Sequence, residues 1–121
     1  MYYKDLRIYK LAVRLRDELH EELNKISQPW NNKDIDQAKR SSSSAVSNIV
    51  EGYGRRFHPR DLIKFLNYSI TSSDETQNHT RSLGKDDYLS IKRSEYFQRS
   101  YKTLSIQTLN YLNYHRKKHN I

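Results

Sequence analysis

Five histidines, fourteen carboxylates and a run of four serines, Ser41 to Ser44, are the side chains here with acid–base, metal or nucleophilic chemistry to offer. A helical bundle hosts a di-iron centre when Glu-x-x-His pairs face inward on two helices. Glu75 and His79 stand four apart instead, and no second such pair exists. His115 and His119 also stand four apart, which suits one helix face, but two imidazoles without a third ligand fall short of a zinc site. No serine has a His and an acid placed beside it in a strand-turn-helix context. With no cysteine, a disulfide scaffold, a thiolate metal site and a cysteine nucleophile are all excluded. The sequence therefore assigns no catalytic residue, no metal ligand and no cofactor.

The stretch Asn48-Ile49-Val50-Glu51-Gly52-Tyr53-Gly54-Arg55-Arg56 is the most distinctive. Gly-x-Gly invites comparison with a phosphate loop, yet no Lys-Ser/Thr pair follows and no strand precedes it. A helix C-terminus fits better. Gly52 or Gly54 would take a positive φ there, and Arg55 and Arg56 would complement the negative end of the helix dipole. One turn-by-turn stripe of the same segment carries Arg40, Ser44, Asn48 and Glu51. It reads either as a solvated face or as a polar interface with another helix or subunit.

Charge points to partners. Lys and Arg total 22 against 14 Asp and Glu, a net +8 with a pI near 9.7. Such an excess favours polyanions. Two basic groups stand out: Arg55, Arg56, Arg60 and Lys64 around the second turn, and Arg116, Lys117 and Lys118 in a basic C-terminal tail. They are expected at opposite ends of the molecule, with Tyr53 and Tyr114 near them as candidate base-stacking rings. The bland alternative for both groups is solvation and helix capping.

These residues must be positioned by helices. Only three glycines and two prolines punctuate 121 residues, which favours long helices over many short strands. Breaks at Pro29–Asn32, at 52–59 and at Gly84–Asp87 leave four segments, roughly 5–27, 34–51, 59–83 and 90–115. Ile8, Ala12, Leu15, Leu19, Leu23 and Ile26 form a helical stripe in the first. Ile35, Ala38, Ser42, Ala45 and Ile49 do so in the second, in phase across the serine run. Leu62, Phe65, Leu66, Ser69, Ile70, Ser73, Thr80 and Leu83 mark the third, whose second half is almost free of large apolar side chains. Phe97, Tyr101, Leu104, Thr108, Tyr111 and Leu112 mark the fourth, with Ile106 and Leu109 off the stripe. Asp34 and Ser90 are expected N-caps, and Pro59 suits a first helical position. Four amphipathic segments with short connections predict an all-α, antiparallel up-down-up-down four-helix bundle, one domain over 1–121. Hydrophobic residues make up 35%, a thin supply for a lone monomer. No apolar stretch reaches membrane-spanning length and no secretory pattern opens the chain, so a soluble cytoplasmic protein without a membrane partner is expected.

The chain resembles the four-helix-bundle proteins encoded by intervening sequences of bacterial 23S rRNA genes, a ribosomal-protein-like group. Accessory variability proteins of diversity-generating retroelements belong to the same wider group. The resemblance rests on Tyr3, Asp5-Leu6, Tyr9 and Ala12 near the start. In the second segment it rests on Gln37, Lys39-Arg40, Ser44, Asn48-Ile49 and Glu51 to Arg55, and in the third on Ile63, Phe65-Leu66, Ser72 and Glu75. Departures are Ser41, Ser42 and Ser43 where the family has Ala and apolar residues, Val46 where it often has Pro, and Thr76, Thr80 and Ser82 at a normally Leu-rich helix end. The resemblance implies a left-handed bundle, a homopentamer and no established enzymatic activity. For retroelement members it implies binding to a reverse transcriptase and to nucleic acid, and for intervening-sequence members rRNA association is the usual supposition. The function expected is that of a non-enzymatic, oligomeric RNA-associated adaptor. The alternative is a protein–protein scaffold, accessory to a reverse transcriptase, whose charge serves solubility.

Overall fold

The computed structural model describes residues 2–121, and all regular structure among them is helical. After a 3-10 turn at Tyr3–Asp5 come α1 (Arg7–Asn24), a second 3-10 turn at Pro29–Asn31, α2 (Lys33–Gly54), α3 (Pro59–Lys85) and α4 (Ile91–His119). Consecutive helices pack on one another and α1 closes the ring against α4. Side-chain pairs fix the antiparallel sense: His20 with Ser42, Ser41 with Thr76, Asp74 with Ser105, and Glu18 with Tyr96. The bundle is the one the apolar periods predict.

The α1 stripe Ile8, Ala12, Leu15, Leu19 and Leu23 is buried. The helix ends at Asn24, short of Ser27, and Gln28, held out of right-handed helix by Pro29, takes φ 57°. Asn32, not Asp34, caps α2: its side chain accepts the Asp34 N–H at 2.7 Å. Asp34 lies in the first turn, its carboxylate 2.7 Å from Nδ1 of His79 on α3. Pro59 opens α3, and the Ser90 hydroxyl caps α4 by accepting the Arg93 N–H at 3.1 Å.

The serine run is helical. Ser41 is buried against α3, which carries buried Ser69, Ser72, Ser73, Thr76 and Thr80, while buried Ser42 meets His20 of α1 at 3.1 Å. Most of their hydroxyls find partners across the seam or on their own backbone; the buried Ser73 hydroxyl has none. Ser41 and Thr76 stand 2.7 Å apart, Ser69 donates to the Ala45 carbonyl at 2.8 Å, and Ser72 donates to the Ser44 hydroxyl at 2.8 Å. Thr76 and Thr80 donate back to carbonyls one turn earlier. Short side chains let the helices approach, and internal bonding offsets the burial of their oxygens.

The Gly-x-Gly stretch is a helix C-terminus as expected, but the expected positive φ at Gly52 or Gly54 is absent. No glycine has a positive φ; α2 runs straight through Gly52 to Gly54. It ends instead in a tight turn in which the Arg55 N–H reaches the Gly52 carbonyl at 3.0 Å and the Arg56 N–H reaches that of Tyr53 at 3.1 Å. A left-handed residue is thereby unnecessary. Gly52 serves close approach: a Cβ there would sit 3.4 Å from the Leu62 carbonyl oxygen and from Phe65 Cβ. At Gly84 a Cβ would collide with the side chain of Ser94 on α4. The turn after α3 uses Asp87, at φ 65°, for the left-handed position. Finally, Arg116, Lys117 and Lys118 are not a tail; they form the last turn of α4, which ends at left-handed Asn120.

Candidate nucleic-acid interface

Helices that alternate in direction bring the starts of the odd helices and the ends of the even ones to one end of the bundle. The turn after α2, the start of α3 and the end of α4 therefore meet. A cleft of about 460 Å³ is lined by His58, Pro59, Arg60 and Asp61 from the turn and by His119 and Ile121 from the far side. The expectation of two separate basic patches is corrected: Arg55, Arg56, Arg60, Lys64, Arg116, Lys117 and Lys118 share one end. The parity of the helices decides this.

Each cation has its own setting. Arg55 pairs with Glu51 one turn back at 3.6 Å, and its guanidinium lies 4.8 Å from the Phe65 ring centroid. Arg56 donates from Nη1 to the Tyr53 carbonyl at 3.1 Å and lies between two rings, 4.4 Å from Tyr53 and 4.6 Å from Phe57. Lys64 sits about 6 Å from the rings of Phe65 and Tyr68. Arg60, Arg116, Lys117 and Lys118 are exposed. Among the described residues, only Arg55 of these seven makes an ion pair. Elsewhere Arg14, Arg16, Lys25, Arg40, Arg93 and Arg99 are matched to carboxylates. Lys33, Lys39, Arg81, Lys85, Lys92 and Lys102 also lack an ion pair among the described residues, so what distinguishes this end is that seven cations from α2, α3 and α4 meet there, with Lys4, Arg7 and Lys10 around the start of α1.

The two tyrosines part ways. Tyr53 is buried beneath Arg56 and is no platform for a base. Tyr114 is exposed, with its ring edge-on to His115. Burial first, then the nearby Tyr53, pushes the Tyr111 phenol up, with Arg56 acting against them; α4 lies beside the end of α2 here. His115 is buried with neither ring nitrogen hydrogen-bonded, between the edge-on rings of Tyr111 and Tyr114 and stacked on His119. Burial chiefly, and then Lys118 and His119, hold its pKa below the usual imidazole value.

The stripe Arg40, Ser44, Asn48 and Glu51 divides. Arg40 pairs with Asp36 at 3.1 Å and Glu51 with Arg55, both within α2. Asn48 donates to the Ser44 carbonyl and hydroxyl, and that hydroxyl accepts from Ser72, so the middle of the stripe joins the α2–α3 seam. Glu75 is exposed and His79 faces Asp34. Among the described residues no three His, Asp or Glu side chains are grouped to hold a metal ion. Phe57 and His58 were not singled out from the sequence, and His119 was weighed there only with His115 as a metal pair. Their signal was weak: one apolar ring and two imidazoles in basic surroundings, next to a proline in one case and the chain end in the other.

The 23S rRNA-intervening sequence protein family model matches residues 4–110. The chain belongs to that family. Its fold is also that of a crystal structure of a protein of unknown function from the S23 ribosomal protein family of Bacteroides thetaiotaomicron. The TM-score is 0.79 at 15% identity, over 88% of this chain and 95% of that one. No curated protein matches it. In this intervening-sequence protein Arg55, Arg56, Arg60 and Lys64 lie inside the matched stretch, and Arg116, Lys117 and Lys118 lie beyond it. Among the described residues no helix is long and apolar enough to cross a membrane.

Proposed function

We propose that this intervening-sequence protein is a non-enzymatic adaptor that holds nucleic acid by its phosphates, with little sequence preference, at the end of the bundle where α2 and α4 finish. The observation that carries the reading is the convergence there of seven cations, six of them without an ion-pair partner among the described residues. Phosphate contacts of this kind release counterions, so affinity falls steeply as salt rises, with a log–log slope near 0.7 per contact on single strands. Replacing Arg116, Lys117 and Lys118 together by Gln lowers that slope by about 2. Melting temperature changes little, because exposed cations at a helix C-terminus contribute only a few tenths of a kcal/mol each, about 0.3–1 at most. RNA retention measured from 50 to 300 mM salt, on the order of the range where such slopes are resolved, decides it. Should the intact protein bind neither RNA nor DNA at low salt, the adaptor reading fails and a protein–protein scaffold takes its place.

A specific observation also supports assembly. Ile106 and Leu109 on α4 are 50% and 44% exposed in a chain with few apolar residues. We read them as the centre of a contact between copies, and the family resemblance gives five as the number. A ring would repeat the basic end around its axis and multiply weak phosphate contacts.

A further inference from the structure

We propose that Phe57 is a base-stacking platform that makes the basic end selective for single-stranded nucleic acid. The inference rests on the phosphate-binding reading above and goes beyond it in naming the strand and the ring. Phe57 stands in the turn between α2 and α3 with 79% of its surface exposed. A turn position has no packing need for a large apolar ring, and exposed apolar surface of this kind marks contact sites.

The ring is held, not loose. The Arg56 guanidinium lies against it at 4.6 Å and against the buried Tyr53 ring at 4.4 Å, while Arg56 Nη1 donates to the Tyr53 carbonyl at 3.1 Å. Arg56 thus links the buried Tyr53 ring to the exposed Phe57 ring. A base laid on Phe57 meets a ring that already has a cation against it. His58, the next residue, lines the cleft together with Arg60, and the end of α4 closes it with His119. Aromatic faces set among cations are what non-specific single-strand binders present, because every base has a π-face and every nucleotide a phosphate. Paired bases are stacked inside a duplex and cannot reach the ring. Trp30 supplies the contrast: it is 78% exposed between α1 and α2, at the opposite end, and makes no cation–ring contact among the described residues.

The test uses the full chain and a twelve-nucleotide single-stranded RNA carrying 2-aminopurine, alone and annealed to its complement. The protein should bind the single strand more tightly than the duplex and quench the probe. Phe57→Ala should weaken single-strand binding by about tenfold and abolish the quench, with salt slope and melting temperature unchanged. Phe57→Tyr should restore both, and Trp30→Ala should change neither. Equal binding of single strand and duplex, or a Phe57→Ala protein that binds and quenches like the original, overturns the stacking proposal and leaves phosphate binding standing. Absence of any binding by the original protein at low salt overturns both, so the two failures are distinguishable.

Discussion

Gly84 and Gly54 differ only in their neighbours, and that difference has a measurable sign. A methyl at Gly84 meets the Ser94 side chain, whose hydroxyl is committed to the Thr80 carbonyl at 2.7 Å, so α3 and α4 must separate. Gly84→Ala should cost about 1–3 kcal/mol of stability. A methyl at Gly54 meets nothing within 4 Å in ordinary helix, and Gly54→Ala should leave stability unchanged or raise it by up to about 1 kcal/mol. Urea melts that rank the two alike would contradict this. The sequence singled out the wrong glycines because a Gly-x-Gly pair looks like a turn, whereas crowding at Gly84 comes from a residue on another helix. His115 makes a second case. Its pKa is depressed in the fold, so below its ordinary value of 6.5 the unfolded chain takes up a proton that the folded chain resists. Stability from this group is intact above 6.5 and declines as pH falls from there towards the depressed value. His115→Phe keeps a ring between Tyr111 and Tyr114 and removes the titration. Its melting temperature should fall less between pH 7 and pH 5 than that of the original protein; parallel pH profiles would refute the assignment.

At the scale of the element, the α2–α3 seam replaces apolar bulk with small hydroxylated side chains. Periodicity across Ser41–Ser44 was legible, and so were the helix starts at Pro59 and Ser90, since they depend on local chemistry. The second half of α3 was the least legible. Its stability comes from Thr76 and Ser72 contacting Ser41 and Ser44, pairs far apart in sequence. Thr76→Val keeps the shape but removes the hydroxyl that Ser41 bonds, and should cost about 1 kcal/mol. Ser69→Leu places a branched side chain where the Ala45 carbonyl now accepts a hydrogen bond at 2.8 Å, and should cost about 1–3 kcal/mol or more by forcing the helices apart. If Ser69→Leu proves as mild as Thr76→Val in denaturant melts, hydrogen bonding and not close approach governs the seam.

For the whole molecule, the arrangement of ends follows from counting helices, and it joined basic groups that had been assigned to opposite ends. The candidate contact face is the part where sequence and fold agree: Ile106 and Leu109 leave the core stripe in the pattern and leave the core in the structure. A stable contact buries roughly 800 Å² per partner, with an apolar centre and a polar rim. Two half-exposed aliphatic residues on adjacent turns supply such a centre, and the exposed Lys102, Thr103, Asn110 and Asn113 around them supply a rim. Charging the centre should therefore separate the copies without unfolding them, because neither side chain belongs to the buried core. Ile106→Lys combined with Leu109→Lys should give monomer mass by light scattering at micromolar concentration and an unchanged helical circular-dichroism signal. The original protein should give a multiple of that mass. If it is already monomeric at the same concentration, no contact between copies forms and the two residues need another partner. If the double variant keeps the mass of the original, the contact lies on a different face. Salt dependence links this to the basic end: a monomer offers one set of phosphate contacts where a ring offers several, so the double variant should also bind RNA with a shallower slope.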